Sequence, residues 1–154
     1  MMNMMIRKMQ IEDVPAVMNV DPTPWTQAIY EQELIENDFA YYFVIVNEKD
    51  DIIGYVGLWI IFDDAQITNI AIHPDYRGKK IGEKLFAFAL SYAFQHGAQK
   101  LSLEVRPSNT VAKNMYRKFG LKKGGIRKNY YPDNSEDAIV MWVNLTEVNF
   151  ANFE

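Results

Sequence analysis

Alternating runs of apolar and polar residues divide the chain into short strands and helices. Three β-branched and aromatic runs follow one another closely, at Ala40–Asn47, Ile52–Phe62 and Gln66–Ile72, with charged turns at 48–51 and 63–64. Runs of this composition bounded by polar turns are typical of β-strands. Because the turns are too short for a crossover, the three strands are predicted to form an antiparallel meander.

Helical spacing of apolar residues, and residues that favour helix ends, predict the elements around this meander. The expected helices are residues 14–18, residues 27–36 behind a Thr26 cap, residues 81–96 closed by Gly97, and residues 110–119 between a Ser108 or Asn109 cap and Gly120. The further expected strands are residues 4–9, 101–106, 122–128 and 139–145. The pattern predicts one α/β domain with a mixed sheet over residues 1–145 and a loose tail at 146–154.

The segment Thr68–Gly82 joins a strand, a basic glycine-bearing turn and the longest predicted helix. A proline ends the strand, and the turn carries three cations, Arg77, Lys79 and Lys80. A helix N-terminus directs unpaired N–H groups and the positive end of its dipole toward the preceding turn, which favours an anion. Phosphate or pyrophosphate is the predicted ligand, and a turn that only caps the helix is the alternative. Neither the P-loop nor the dinucleotide-binding glycine motif occurs.

Composition narrows the classes of function. The 154 residues are 49% hydrophobic, which supports a packed core, and the net charge of −4 disfavours nucleic acid as the main partner. The absence of cysteine excludes disulfides, cysteine-ligated zinc and a cysteine nucleophile. The two histidines, His73 and His96, lie far apart in sequence, and no metal site is expected. No apolar run has the length of a membrane span, and the Met-rich start followed by Arg7 and Lys8 is unlike a secretory signal. We therefore expect a cytoplasmic protein without a membrane partner.

Five blocks of the sequence stand out in their order: Asn69–Pro74, Arg77–Gly82, Leu103–Asn109, Met115–Gly120 and Arg127–Pro132. Together with the order of elements, they resemble the GCN5-related N-acetyltransferase (GNAT) family over about residues 5–145. The last two blocks, with Pro24-Trp25 near the start, are similar to the RimI-type subfamily that acetylates the N-termini of ribosomal proteins. The resemblance implies a single-domain GNAT fold, with a mixed, mostly antiparallel sheet flanked by helices.

The resemblance also implies that the chain uses acetyl-CoA as its co-substrate. The residues that it assigns to acetyl-CoA are Ile70, Ala71, Ile72, Arg77, Gly78, Lys79, Lys80, Ile81, Gly82, Glu83 and Asn109. Backbone groups of Ile70 and Ile72 would contact the acetyl-pantetheine arm, and an N–H there would polarise the thioester carbonyl. The family usually has glycine where this chain has Lys80, and we expect Lys80 to keep a negative φ with its side chain turned outward.

For catalysis, the resemblance assigns Glu104 as a general base acting through water and Tyr116 as the general acid that protonates the CoA thiolate. A peptide α-amine has a pKa of about 8 and a lysine side chain about 10.4, so one carboxylate is sufficient to deprotonate the α-amine. Trp25, Tyr130 and Tyr131 would border the acceptor peptide. From the residue pattern alone, Glu104 is expected on a solvated face of its strand and Tyr116 in the core.

The preferred hypothesis is a peptide α-N-acetyltransferase that acts on the N-terminal alanine of a small-subunit ribosomal protein. A first alternative is an acetyltransferase of the same fold acting on a small amine, such as a polyamine or an aminoglycoside. Acidic residues that could hold such a cation are Asp63, Asp64, Asp133, Glu136 and Asp137. A second alternative is a non-catalytic CoA-binding module, which the presence of both Glu104 and Tyr116 disfavours.

Overall fold

In the part of the chain that the structure describes, seven strands and four α-helices follow one another in the order that the apolar pattern predicts. The computed structural model describes residues 3–21 and 25–153. The strands are β1 Met5–Lys8, β2 Ala40–Val46, β3 Ile52–Ile61, β4 Asp64–Ile72, β5 Lys100–Val105, β6 Lys122–Arg127 and β7 Ala138–Asn144. The α-helices are α1 Val14–Met18, α2 Gln27–Glu36, α3 Ile81–Gln95 and α4 Thr110–Lys118. Pro24, which the resemblance groups with Trp25, and Met1 and Met2 lie outside the described residues.

All seven strands form one sheet in the order β1-β2-β3-β4-β5-β7-β6. The predicted meander is confirmed, because β3 pairs antiparallel with β2 on one side and with β4 on the other. The β4–β5 pair is parallel, and the remaining pairs are antiparallel, so the sheet is mixed. A β-bulge interrupts the β3–β4 register between Gly57 and Leu58.

Helices cover the two faces of the sheet unequally. On the back face, α3 and α4 close the larger core, in which Leu85, Phe86 and Leu90 are fully buried. On the front face, α1 and α2 pack on β2 and β3 around a smaller cluster that contains Tyr30 and Tyr42.

Predicted helix ends agree with the structure. The Thr26 hydroxyl accepts a hydrogen bond from the Ile29 N–H at 3.3 Å, and Asn109 Oδ1 accepts one from the Ala112 N–H at 3.1 Å. Gly97 has a φ of 94°, as expected of a glycine that closes a helix.

Two local predictions were wrong. The β3–β4 turn is Phe62-Asp63, not Asp63-Asp64, because Ile61 pairs directly with Asp64 and Phe62 takes the positive φ of a two-residue hairpin turn. The segment after β7 is not a loose tail over its described residues. It forms 3-10 turns at Leu145–Glu147 and Phe150–Phe153, and the Phe150 ring stacks on Phe94 of α3 with centroids 5.2 Å apart.

Candidate active site

The sheet opens where β4 and β5 separate. These strands pair over Asp64–Gln66 and Lys100–Ser102, and their hydrogen-bonded ladder stops there. A cavity of about 1040 Å³ occupies the opening, lined by the end of β4, the turn before α3, the start of α3 and one face of α4. Backbone groups on the β5 side of the β4 end have no strand partner, and buried groups of this kind are usually satisfied by a ligand or water.

Most residues that the resemblance assigns to acetyl-CoA line this cavity. They are Ile70, Ala71, Ile72, Arg77, Gly78, Lys80, Ile81, Gly82, Glu83 and Asn109. Lys79 differs, because its ammonium group lies over the Tyr76 ring, 5.5 Å from the centroid. The Asn109 carbonyl oxygen is already used as the cap of α4, which leaves its NH₂ group for a ligand.

The turn before α3 has the backbone geometry of an anion site. Lys80, at the N-cap of α3, has a φ of 62° and a ψ of 18°, so the expectation of a negative φ was wrong. The surrounding turn imposes the left-handed conformation that glycine favours, and a lysine there is strained. Gly78 also has a positive φ, of 78°. No side chain of the described residues caps α3, so its first N–H groups are available to a ligand in the cavity.

Ion pairs engage several of the charges at the rim of the cavity. Arg77 donates from Nε to the Ile72 carbonyl oxygen at 3.1 Å and pairs through Nη2 with Asp21 at 3.2 Å. Glu83, in the first turn of α3, pairs with Lys118 of α4 at 2.8 Å. The Lys118 ammonium offsets an acid that would otherwise weaken anion binding at this helix end.

Glu104 lies on β5 just beyond the residues that pair with β4. Leu103 and Val105 face the back core, so alternation places Glu104 on the front face, where its side chain is only 10% exposed. Its Oε1 pairs with Arg127 Nε at 3.1 Å, and its Oε2 accepts a hydrogen bond from Gln66 Nε2 at 3.4 Å. The carboxylate is therefore fixed at the place where the strands part.

Tyr116 lies on α4 and belongs both to the core and to the cavity wall. Its ring packs on Phe86 at a centroid distance of 4.9 Å, and the residue is 5% exposed. Burial raises the pKa of Tyr116 above its ordinary value, and Tyr131 adds to the rise. The phenol is thus protonated at neutral pH and available as a hydrogen-bond donor.

The loop between β6 and β7 brings Tyr131 within electrostatic range of both candidate catalytic residues. Burial raises the pKa of Tyr131 to about 12; the Arg106 guanidinium opposes this rise, and the charge of Glu104 adds to it. Tyr130 packs edge-on against Tyr131, with ring centroids 5.0 Å apart.

Arg106 clamps this loop to the corner between β5 and α4. Its guanidinium lies over the Tyr131 ring at 3.9 Å and pairs with Asp133 at 3.0 Å and Glu136 at 3.4 Å. Ser108 donates to Glu136 from its backbone N–H at 2.9 Å and its hydroxyl at 3.0 Å, and these bonds hold the pKa of Glu136 below its ordinary value.

Trp25 lies away from the cavity, beside α2. Its ring is 5.3 Å from the Tyr30 ring and 6.3 Å from the Tyr42 ring, within the front cluster. The structure thus places the three aromatic residues predicted to border the acceptor on two elements, with Trp25 at the start of α2 and the other two in the β6–β7 loop. A contact of any of them with a peptide stays a prediction.

Asn69 carries a polar atom without a partner. Its Oδ1 is buried and accepts no hydrogen bond from the described residues. Ala71, two residues further along β4, packs on the front cluster, and alternation places Asn69 on the same face. A buried acceptor of this kind is usually satisfied by water or a ligand.

Comparison with known proteins decides the family. The model of the acetyltransferase (GNAT) family matches residues 6–121. The chain belongs to this family. No helix in the described ranges is both long and apolar enough to span a membrane, and those ranges hold no group of three acidic or histidine side chains that could bind a metal.

Several relatives carry a narrower name. A Bacillus subtilis (strain 168) protein with the provisional name ribosomal protein bS18-alanine N-acetyltransferase is 50% identical over 92% of this chain and 96% of its own. The Haemophilus ducreyi protein of that name is 34% identical over 79% of this chain and 84% of its own. The crystal structure of the Escherichia coli ribosomal-protein-S18-alanine N-acetyltransferase aligns with a TM-score of 0.83 at 25% identity, over 96% of this chain and 97% of its own.

The GNAT fold and the N-acetyltransferase activity are thus confirmed for this chain. A spermidine/spermine N-acetyltransferase from Vibrio cholerae aligns with a TM-score of 0.82 at 21% identity, over 97% of this chain and 98% of its own. At that identity the likeness concerns the fold alone.

Sequence reasoning missed Arg127, Gln66 and Arg106, which fix Glu104 and the β6–β7 loop. Arg127 begins the block Arg127–Pro132, and its positive charge on a predicted strand was the only sign in the sequence that it pairs with an acid. Its partner is 23 residues away in sequence, and only the strand order brings the two together.

Proposed function

We propose that the chain transfers the acetyl group of acetyl-CoA to the α-amino group of a protein N-terminus, with Glu104 as base and Tyr116 as acid. The observation that carries this proposal is the position of Glu104. Its carboxylate, only 10% exposed, lies just beyond the point where β4 and β5 part. The same β4 strand continues into the wall of the cavity that ends at the uncapped N-terminus of α3.

The residues present fit acetyl-CoA as the co-substrate. The cavity is at the upper end of the volumes usual for ligand sites, and its rim combines left-handed turn residues with the free N–H groups of α3. These N–H groups would hold the pyrophosphate, and the unpaired backbone at the end of β4, around Ile70 and Ile72, would hold the pantetheine arm. Acetyl-CoA, when bound, supplies an acetyl group on a good leaving group.

The proposed roles follow from the two environments. Glu104, on the front face, accepts the amine proton through a water molecule as the nitrogen attacks. Tyr116, on the cavity side, donates a hydrogen bond to the leaving sulfur. A thiol has a pKa of about 8.5, below that of the buried phenol, so the donated bond stabilises the thiolate before any proton has fully moved. The chain has no cysteine, and transfer is direct.

The acceptor is the N-terminal alanine of a small-subunit ribosomal protein. The names of the relatives support this substrate, and so does the pairing of the acidic residues that a polyamine would need. Asp133 and Glu136 are paired with Arg106, and Asp137 with Lys128. Asp63 lies in the β3–β4 turn and Asp64 begins β4, at the opposite end of that strand from Ile72.

The test is an acetylation assay that follows free thiol, with peptides beginning Ala, Ser or Met and with spermidine. We expect turnover of the alanine peptide, with acetylation at the α-amine by mass spectrometry, and little turnover of spermidine. Tyr116→Phe is expected to lower kcat by about a hundredfold or more, with acetyl-CoA affinity by calorimetry within about twofold, since the phenyl ring keeps the packing on Phe86. Turnover of spermidine alone contradicts the proposed acceptor, and a fully active Tyr116→Phe contradicts the acid.

A further inference from the structure

Both oxygens of the Glu104 carboxylate are engaged by side chains from other strands. Arg127 of β6 contacts Oε1 at 3.1 Å, and Gln66 of β4 contacts Oε2 at 3.4 Å. A base that works through an ordered water needs a fixed direction, and these two contacts supply it from opposite sides. Gln66 holds the longer, neutral bond, so Arg127 provides most of the restraint.

Arg127 reaches Glu104 across a whole strand. Arg127 pairs with Ala138 of β7, and Glu104 pairs with Val140 of the same strand, so the guanidinium spans from β6 over β7 to β5. Strands are spaced by about 4.8 Å, and the span is about 10 Å, which suits the longest of the cationic side chains.

The two side chains of the Arg127–Glu104 ion pair differ in their exposure to solvent. The Arg127 side chain is 58% exposed, whereas that of Glu104 is 10% exposed. A half-exposed arginine contributes little to folding through one ion pair. Its guanidinium also lies 5.8 Å from the Tyr130 ring, at the loop proposed to border the acceptor. Arg127 therefore connects the candidate base with the acceptor side of the site.

We propose that Arg127 is a positioning residue of the transfer reaction, an inference that rests on the proposed function. It orients Glu104 and offsets the negative charge that an incoming N-terminus would meet. An unopposed carboxylate attracts the ammonium form of the acceptor, which cannot attack. A guanidinium beside the carboxylate disfavours that form and so favours the neutral amine.

The experiment compares Arg127→Gln, Arg127→Lys and Lys128→Gln with the parent. Lys128 is the matched control, because it is the next residue and is also ion-paired, at 3.3 Å, but with Asp137. The readouts are kcat with an alanine peptide, acetyl-CoA affinity, peptide affinity by calorimetry in the presence of CoA, and Tm.

We expect Arg127→Gln to lower kcat by about tenfold, because the base is no longer held in one direction. The same variant is expected to bind the peptide about threefold more tightly, the size of one partly exposed charge interaction. Acetyl-CoA affinity should stay at the parent value, and Tm should fall only slightly, because Gln66 still donates to the carboxylate that Arg127 leaves. Arg127→Lys should recover kcat to within about threefold of the parent, since the charge is kept and only the fork geometry is lost. Lys128→Gln should match the parent in all four measurements.

The outcomes separate the two proposals. If the parent turns over no peptide, the proposed function has failed. If the parent is active and Arg127→Gln has the same kcat and peptide affinity, only the inference about Arg127 has failed. A fall in kcat that comes with equal losses of acetyl-CoA affinity and Tm also overturns the inference, because it indicates a structural role.

Discussion

Lys80 holds a backbone conformation that glycine adopts at lower cost. Its φ of 62° lies in the left-handed region, where a residue with a Cβ is strained by about 1–2 kcal/mol. We expect Lys80→Gly to raise the free energy of unfolding by about 0.5–1 kcal/mol, since the relief exceeds the extra chain entropy of an unfolded glycine, about 0.4–1 kcal/mol. Urea unfolding measures this change. Calorimetry should show acetyl-CoA affinity equal to or tighter than that of the parent.

Gly78 is the matched control for this strain. Its φ is 78°, and a Cβ added there would meet nothing within 4 Å, so Gly78→Ala tests the backbone alone. This variant should lose about 1 kcal/mol. If Lys80→Gly is less stable than the parent while Gly78→Ala behaves as expected, the Lys80 side chain makes a contribution that outweighs its strained backbone.

Single residues at the site could be predicted from sequence where their role depends on local pattern. Ser108 or Asn109 was predicted as the cap of α4, and the structure shows that Asn109 is the cap. The conformation of Lys80 could not be predicted, because nothing in its neighbours reveals that the turn demands a positive φ. The partner of Glu104 could not be predicted either, because Arg127 meets it across a third strand.

Gly57 lets the front cluster close against the sheet. A Cβ at this position would overlap the ring of Tyr42, whose hydroxyl donates to Glu33 of α2 at 2.8 Å. Gly57→Ala must therefore displace Tyr42 or bend β3, and overpacking of this kind costs about 1–3 kcal/mol. Chemical denaturation should show that loss.

Gly125→Ala is the comparison for this element, because Gly125 also lies in a strand and a Cβ there would meet nothing within 4 Å. Its effect should stay within about 0.5 kcal/mol. Equal stabilities of the two variants would mean that the Tyr42 ring moves freely and that α2 does not depend on close packing at Gly57.

Helices and strands could be predicted where apolar residues recur with a regular helical or strand period. The meander, the strand Leu101–Arg106 and the amphipathic α4 have clear periods, and each is present in the structure. The order β5-β7-β6 and the opening beside β5 could not be predicted, because hydrogen bonding between distant strands leaves no local signature. The packing of Phe150 on Phe94 was missed for a similar reason, since the short 3-10 turns lack a helical repeat.

At the scale of the whole molecule, the sheet separates structural from catalytic roles. Its β1–β4 half is continuously paired and covered by helices, whereas the ladder between β4 and β5 stops after three residue pairs. Helix α3 begins at that opening and packs along the back of β3 and β4, so its N-terminus is held by the core it completes.

Buried tyrosines should set the alkaline limit of stability. Burial is the main cause that raises the pKa of Tyr42, Tyr55 and Tyr116 above the ordinary value of about 10. Below pH 10 both the folded and the unfolded chain keep these protons. Above it the unfolded chain loses them while the folded chain does not, so the free energy of unfolding falls as pH rises. Each such tyrosine contributes a slope of up to about 1.4 kcal/mol per pH unit.

Tyr55→Phe tests this explanation, because the variant removes one of the protons that the folded chain retains. At pH 7 it should lose about 1 kcal/mol, since the Tyr55 hydroxyl is hydrogen-bonded to that of Tyr30 at 3.0 Å. Between pH 10 and 11 its free energy of unfolding, from urea titrations, should fall less steeply than that of the parent, so the two curves converge. Parallel curves over this range would mean that Tyr55 ionises equally in both states and that another group limits alkaline stability.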